Sequence, residues 1–337
     1  MADPPTGTRA VRIEPSVESL LRGATERQAW RTADSLSGSH FERVTIKGQR
    51  GIVKYISVDD DWIMRATGDL HCRQLGLFSS SVLDGLPETI DHTVIACAPY
   101  TSRRGHRSAA LLMRDVSREL VPPGSEPIEI GLHRGFLERM AQLHAAYLGF
   151  EDRVGLFPFA HHYLFLTPGM AELETASSRG DPVPPAVLAG WRSMDERHPR
   201  QARLLRELAR DPAPLLAALG AGPRTLLHGD WKLGNLGGSI GRTILLDWDR
   251  CGQGPPLVDL AWYLAVNCDR LPESKEEAIA AYRGSLEGAG VSTASWWEAQ
   301  LALALAGAFL QLGWSKTGEA EEFGWWSDRL EAALPSL

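Results

Sequence analysis

The sequence predicts an α+β fold of two lobes, with a five-stranded antiparallel sheet in the N-terminal lobe and a mostly helical C-terminal lobe. Segments rich in β-formers and separated by short polar turns fill the first third of the chain. Apolar residues recur at helical spacing from Leu132 onward. A chain of 337 residues is also long for one core. We place the N-lobe at 13–116 and the C-lobe at 117–337, after a Pro- and Gly-rich stretch, 1–12, expected to be disordered.

Composition limits the possible partners. The chain is 44% hydrophobic and 23% charged, as ordinary globular proteins are. Its formal charge of −7 argues against a nucleic-acid partner, because phosphate backbones are bound by basic surfaces. No apolar run reaches signal-peptide or membrane-spanning length, and the four cysteines lack metal-ligand spacing. We therefore expect a cytoplasmic protein without a membrane partner, and the oligomeric state stays open.

The N-lobe is predicted to contain a short helix from Ser16 to Arg22, followed by the sheet. Lys54 lies among apolar residues of the third predicted strand, where an ammonium group needs phosphate oxygens or a carboxylate nearby. The alternative is a solvated lysine on an edge strand. The predicted strands are 29–36, 40–46, 51–58, 93–98 and 108–113.

The C-lobe begins with an amphipathic helix from Leu132 to Tyr147, in which His144 is predicted to be a buried core residue. Asp259 precedes an apolar run and is predicted to be an N-cap. The tryptophans near the C-terminus are predicted to pack between helices. Further helices are predicted at 200–208, 211–219, 273–286, 294–314 and 323–334.

Three polar side chains stand around two short hydrophobic runs, Thr225 to Leu227 and Ile244 to Leu246. Asp230 and Asn235 follow the first run, and Asp247 follows the second. If the two runs pair as a hairpin, these side chains lie together at one end. Mg²⁺ prefers one or two carboxylates, an amide oxygen, water and phosphates, and a further carboxylate can orient a hydroxyl for phosphoryl transfer. We therefore predict Asp230 as the base and Asn235 and Asp247 as metal ligands.

The same stretch resembles a known family. His228, Asp230 and Asn235 have the spacing of the protein-kinase catalytic loop, and Asp247 stands where the D-F-G aspartate falls. The glycine of His-Gly-Asp and the Asp-Trp-Asp at 247–249 are more similar to the aminoglycoside phosphotransferase branch, which includes choline-kinase relatives. The resemblance implies a bilobal protein-kinase-like fold, a catalytic loop at 228–235, ATP (or GTP) and Mg²⁺ as cofactors, and phosphorylation of a hydroxylated small molecule. His228 itself is predicted to be structural, hydrogen-bonded to nearby backbone.

The resemblance also assigns nucleotide-binding residues. It implies that Lys54 binds the α- and β-phosphates and that Lys232 neutralises charge at the γ-phosphate. The alternative for Lys232 is an exposed loop lysine. Other implied contacts are the backbone and hydroxyls of Ser37, Gly38 and Ser39 with phosphates, and the backbone of Arg114 and Val116, in a hinge at 113–116, with adenine. A plain hairpin loop is the alternative for Ser37 to Ser39.

Two questions stay open. The family pattern implies a helix within 65–78 whose glutamate pairs with Lys54, yet this segment has no glutamate. Whether Gln74 hydrogen-bonds Lys54 instead, or Asp69 supplies the charge, stays open. The acceptor is expected to be an antibiotic or other natural product held by C-lobe helices and the aromatic segment 151–200. Alternatives are choline, a sugar or an amino-acid-like metabolite, or a pseudokinase that transfers nothing. Glu319, Glu321 and Glu322 attract an aminated substrate or form a solvated helix end.

Overall fold

The structure is a computed structural model that describes residues 10–30, 37–177, 179–239 and 241–337. The chain forms two compact units. Unit 1 runs up to Leu86 and includes His92–Arg118, and unit 2 comprises Pro87–Asp91 and Glu119–Leu337. Strands dominate unit 1 and helices dominate unit 2, so the predicted α+β class is confirmed.

Strands and helices are numbered in chain order. The strands are β1 Arg12–Ile13, β2 Ala24–Trp30, β3 His40–Ile46, β4 Gln49–Ile56, β5 Ile90–Asp91, β6 Val94–Thr101, β7 Arg107–Arg114, β8 Thr225–Leu227, β9 Leu236–Ser239, β10 Arg242–Leu245 and β11 Gly252–Gly254. The helices are α1 Val17–Leu20, α2 Trp62–Ala66, α3 Arg73–Phe78, α4 Ile130–Ala146, α5 Pro168–Ala176, α6 Val183–Arg197, α7 Pro199–Arg210, α8 Ala213–Gly220, α9 Leu257–Val266, α10 Lys275–Gly288, α11 Trp297–Leu312 and α12 Ala320–Ala333.

The main sheet of unit 1 has six strands in the order β1-β6-β7-β4-β3-β2, which corrects the predicted five-stranded antiparallel sheet. The additional strand, β1, pairs in parallel with β6, with Arg12 opposite Ala96. A two-residue strand is too short to show a period of two, so no pattern in the sequence indicates it. Strand β2 begins at Ala24, before the predicted start at 29, and residues 31–36 of that prediction lie outside the described residues.

The two faces of this sheet have different roles. Helix α1 places Leu20 and Leu21 in an apolar cluster with Val53 on one face. Successive residues of a strand point to opposite faces, so Lys54 points away from that cluster. The lysine is nevertheless only 5% exposed. This burial contradicts the alternative of a solvated edge lysine, because β4 lies inside the sheet between β3 and β7.

The prediction of one continuous helix within 65–78 is wrong. The structure has two short helices, α2 and α3, separated by a turn. Gly68 (φ +62°) and Cys72 (φ +57°) adopt left-handed backbone conformations there, which a helix cannot continue through. Asp69 accepts hydrogen bonds from the backbone N–H of Arg73 at 2.9 and 3.1 Å and so stabilises the start of α3.

The strands of unit 2 do not pair as predicted. Strand β8 pairs antiparallel with β11, with Leu227 opposite Gly252, whereas β10 forms a hairpin with β9. The predicted hairpin between Thr225–Leu227 and 244–246 is therefore wrong. Strand β9 was not predicted from the sequence, because it contains Gly237 and Gly238 and glycine has low β-propensity.

The helices predicted for unit 2 are present, with ends shifted by a few residues. Helix α4 packs on α10, and α11 packs on both α9 and α12. His144 in α4 is fully buried, and its ring nitrogens contact the Tyr282 hydroxyl at 2.6 Å and Asp259 at 3.2 Å, as expected of a core histidine. In the part of the chain that the structure describes, no helix combines the length and apolarity needed to cross a bilayer.

Candidate active site

The turn after β8 places Asp230 at the start of the predicted catalytic loop. Gly229 has φ +82°, and a Cβ at this position would lie 2.4 Å from the carbonyl oxygen of Arg250. A side chain is therefore excluded by the backbone conformation and by the available space. The His-Gly-Asp tripeptide needs its glycine for this reason, and the loop passes close to the 248–250 segment as a result.

Asp259 holds the backbone of the loop through hydrogen bonds. Its carboxylate accepts hydrogen bonds at 2.8 Å from the backbone N–H groups of both His228 and Gly229, and at 3.1 Å from the indole of Trp231. The predicted N-cap role is wrong, because α9 begins two residues earlier, at Leu257. Asp259 lies in the first turn, where the helix dipole favours a negative charge.

Two more side chains hold the loop in place. The ring of His228 lies 3.0 Å from the Leu246 carbonyl through Nε2 and 3.2 Å from the Asp230 N–H through Nδ1, the backbone contacts predicted for it. Asn267 accepts from the Leu233 N–H at 2.8 Å and donates to the Trp231 carbonyl at 3.0 Å. The backbone from 228 to 233 is thus bonded to fixed groups of α9 and its flanks.

The Asp230 carboxylate is 6% exposed and is surrounded by donors. Its Oδ1 accepts from the Trp262 indole at 3.0 Å and forms an ion pair with Arg250. Its Oδ2 accepts from Asn235 Nδ2 at 3.0 Å and lies 3.3 Å from Lys232 Nζ. The structure therefore brings Asp230 and Asn235 together, as predicted, and places Lys232 beside them.

The charges around Asp230 keep it ionised. Burial alone would raise the pKa of Asp230, but the neighbouring Arg250 and Lys232 outweigh burial and lower the pKa to about 2. Burial likewise opposes the charge of Lys232, yet Asp230 and Asp247 raise the pKa of this lysine above its ordinary value. For His228, burial lowers the pKa. At neutral pH the loop thus carries a carboxylate, an ammonium and a neutral imidazole.

Asp247 lies two residues after the end of β10. The N–H of Leu246 donates to the Asn235 carbonyl at 2.8 Å, which ties the two segments together. Asp247 has φ +62°, a conformation rare for a residue with a side chain and often found at functional sites. Within the described ranges, no group of three or more His, Cys, Asp and Glu side chains is arranged as a metal site. One carboxylate and one amide oxygen nevertheless fit Mg²⁺, which keeps waters and phosphate oxygens as its other ligands.

The predicted nucleotide-binding residues lie in unit 1. The Ser39 hydroxyl donates to Asp61 at 3.4 Å, and the Ser37 carbonyl accepts from the Trp62 N–H at 3.0 Å. These bonds hold the segment 37–39 against the start of α2. Arg114 ends β7 and donates its N–H to the Thr93 carbonyl at 3.0 Å, and Val116 is buried just beyond it.

Arg250 and Trp262 contact Asp230 but were not predicted from the sequence. Arg250 is 2% exposed and lies over the Trp262 ring, with its guanidinium carbon 4.1 Å from the centroid. The only signal for Arg250 was its position directly after the Asp-Trp-Asp at 247–249. Trp262 stands three residues after Asp259, so the two share one face of α9, and this spacing could have indicated it.

The acidic group near the C-terminus has a structural role at one position. Glu322 pairs with Lys275 at 2.5 Å and accepts from the Trp326 indole at 2.6 Å. Trp326 itself is fully buried, as predicted for a packing residue. Glu319 and Glu321 are exposed.

A family model matches the part of the chain that contains the predicted catalytic loop. The segment 136–297 matches the model of the phosphotransferase enzyme family (APH). It contains the whole catalytic loop, Asp247 and Asp259. The predicted family resemblance and the predicted enzyme class, a small-molecule kinase with an alcohol group as acceptor, are thereby confirmed.

Several solved structures of kinases and phosphotransferases are similar to this chain over most of their length. They include the choline kinase LicA from Streptococcus pneumoniae (14% identity, 95% of each chain, TM-score 0.47). Another is a microcompartment-associated aminopropanol kinase (17% identity, 92% of this chain and 90% of that chain, TM-score 0.48). A third is an aminoglycoside-3'-phosphotransferase of type VIII (18% identity, 86% of this chain and 94% of that chain, TM-score 0.47). At these scores the similarities carry no argument about substrate. No curated protein sequence matches the chain.

Proposed function

We propose that this protein is an ATP- and Mg²⁺-dependent O-phosphotransferase that phosphorylates a hydroxyl group of an antibiotic or other natural product. The observation that supports it best is the Asp230 carboxylate, buried and ionised, with Asn235 at 3.0 Å and Lys232 at 3.3 Å. A carboxylate held in this way orients an alcohol, and a lysine beside it neutralises charge on the transferred phosphoryl group.

In the proposed reaction the acceptor hydroxyl donates its hydrogen bond to Asp230. The hydroxyl oxygen forms a bond to the γ-phosphorus of ATP, the bond from that phosphorus to the β-γ bridging oxygen breaks, and ADP leaves. The hydroxyl proton passes through Asp230 to solvent. Because such transition states are loose, Asp230 contributes mainly by orienting the alcohol and Lys232 by neutralising charge.

The nucleotide is proposed to be held by the residues that match the family motifs. Lys54 binds the α- and β-phosphates, the segment Ser37 to Ser39 binds phosphate oxygens, and the backbone of Arg114 and Val116 binds adenine. Asn235 and Asp247 are the proposed ligands of Mg²⁺, which neutralises phosphate charge when it is bound. The positions of these residues in the motifs support the assignments.

Lys54→Ala is expected to raise the KM for ATP or lower kcat by about tenfold or more, since one ion pair with phosphate is lost. Steady-state kinetics with varied ATP measures this effect. Lys54→Met preserves the volume of the buried side chain and separates loss of charge from cavity formation. Lys47→Ala, in an exposed turn of the same sheet, is the control. Wild-type kinetics for Lys54→Met would remove Lys54 from the nucleotide site.

The acceptor is tested by supplying purified protein with magnesium-ATP and a panel of antibiotics, sugars and amino alcohols, and detecting phosphorylated products by mass spectrometry. We expect one hydroxylated natural product to give the highest kcat/KM. Preference for choline, a sugar or an amino-acid-like compound would favour the small-metabolite alternative. Nucleotide binding without transfer to any acceptor or to water would favour the pseudokinase alternative, which the missing helix glutamate supports.

A further inference from the structure

The indole of Trp262 contacts the reactive carboxylate directly. Its Nε1–H donates to Asp230 Oδ1 at 3.0 Å, and both residues are 6% exposed. A buried hydrogen bond from a neutral donor to a carboxylate is strong and directional, because no water competes for either group. Trp262 therefore restricts the rotation of the Asp230 carboxylate.

The position of Trp262 on α9 explains why its indole points towards Asp230. Asp259 and Trp262 are three residues apart on this helix and lie on the same face. Asp259 bonds the backbone of His228 and Gly229, while Trp262 bonds the side chain that follows them. One helix face thus holds the main chain of the loop and the functional group of Asp230.

The face of the Trp262 ring has a second contact. The Arg250 guanidinium lies 4.1 Å from the ring centroid and forms an ion pair with the same carboxylate. Phe165 covers Arg250 from another side, at 5.2 Å from its ring centroid. The aromatic ring keeps the guanidinium in place through a cation–π contact while its N–H bonds the carboxylate.

The two oxygens of Asp230 consequently have different surroundings. Oδ1 contacts Trp262 and Arg250, both buried. Oδ2 contacts Asn235, a proposed metal ligand, and Lys232, whose side chain is 27% exposed. Oδ2 is therefore the oxygen on the accessible side, next to the groups assigned to the phosphates.

We propose that Trp262 is a positioning residue for phosphoryl transfer, which fixes Oδ1 of Asp230 so that Oδ2 is directed at the acceptor hydroxyl. The inference rests on the proposed function, in which Asp230 orients the acceptor. Trp262 acts through Asp230 and touches no reacting atom. Its loss lowers kcat and leaves the KM for ATP unchanged.

Two substitutions separate the N–H group from the packing of the ring. Trp262→Phe keeps an aromatic face under Arg250 but has no donor, and Trp262→His keeps a ring N–H at a similar distance from the backbone. Trp326→Phe is the matched control, because Trp326 is fully buried and its indole also donates to a carboxylate, that of Glu322, at 2.6 Å. Assays follow transfer from magnesium-ATP to water and to the best acceptor of the panel, at a pH where histidine is neutral.

Trp262→Phe is expected to reduce kcat about tenfold, the effect of one lost hydrogen bond to a charged group, with the KM for ATP unchanged. Trp262→His is expected to be more active than Trp262→Phe, and Trp326→Phe to keep the wild-type kcat. Activity of Trp262→Phe equal to or above that of Trp262→His would overturn the inference, because packing would then explain the effect. Equal reductions of kcat in Trp262→Phe and Trp326→Phe would also overturn the inference.

The proposed function has a separate test in the same series. Asp230→Asn with full activity would contradict the role of Asp230, and a wild-type protein that transfers phosphoryl groups to neither water nor any acceptor would contradict the proposed function itself. An inactive Asp230→Asn variant together with a wild-type Trp262→Phe variant would overturn only the role of Trp262.

Discussion

Asp230→Asn is expected to reduce kcat by about 10²- to 10⁴-fold while the affinity for ATP changes little, because positioned proton acceptors contribute rate factors of that size. Asparagine has nearly the same shape as aspartate but lacks its charge and presents an amide nitrogen on one side. The partners of the Asp230 side chain are all donors, so the amide nitrogen loses a contact. Asp259 still binds the backbone of the loop, so we expect the loop to keep its fold. Single-turnover kinetics measures the rate, and calorimetry with magnesium-ATP measures the affinity.

The control for this substitution is Asp195→Asn. Asp195 also pairs with an arginine, Arg206 at 2.6 Å, but lies on the surface of α6. It is expected to keep the wild-type kcat. If Asp230→Asn also kept it, Asp230 would not orient the acceptor, and the proposed reaction would need another group for that role.

Asp247→Gly is expected to abolish most magnesium-dependent binding of ATP and to lower kcat/KM about a hundredfold or more, because metal ions stabilise phosphoryl charge by several kcal/mol. The folded protein is expected to be at least as stable as wild type. Glycine adopts the φ of +62° found at this residue without the steric cost that aspartate bears. Calorimetry with and without Mg²⁺ measures binding, and thermal unfolding measures stability.

Asp247→Ala separates the loss of the carboxylate from the relief of backbone strain, which occur together in Asp247→Gly. Alanine also removes the carboxylate but retains the strained backbone, so it should lose ATP binding as glycine does without the gain in stability. Asp328→Ala, at an exposed position of α12, is the control for removing one surface carboxylate. Unchanged magnesium dependence in both Asp247 variants would contradict the assignment of Asp247 as a metal ligand.

The sequence was sufficient for the general architecture and for the composition of the loop. The prediction that Asp230 and Asn235 lie together is confirmed, because two residues five positions apart in a tight turn cannot lie far from each other in space. Strong helical periodicity likewise located α4, in which His144 proved to be buried. Local patterns succeed where the structure is determined by nearby residues.

The errors arose where distant parts of the chain decide the outcome. The partner of β8 is β11, and no local signal distinguishes it from the strand at 242–245. The parallel pairing of Arg12–Ile13 with β6 also depends on residues far away in sequence. Arg250 and Trp262 reach Asp230 from separate segments, so only the folded chain shows that they surround it.

The bonds from Asp259 to the backbone of His228 and Gly229 hold the loop independently of any bound molecule. The reactive loop is preorganised by the protein interior, so it needs no ordering by the molecule that it modifies. In the proposed reaction, an incoming acceptor therefore meets a loop whose backbone is already fixed by one buried carboxylate of α9.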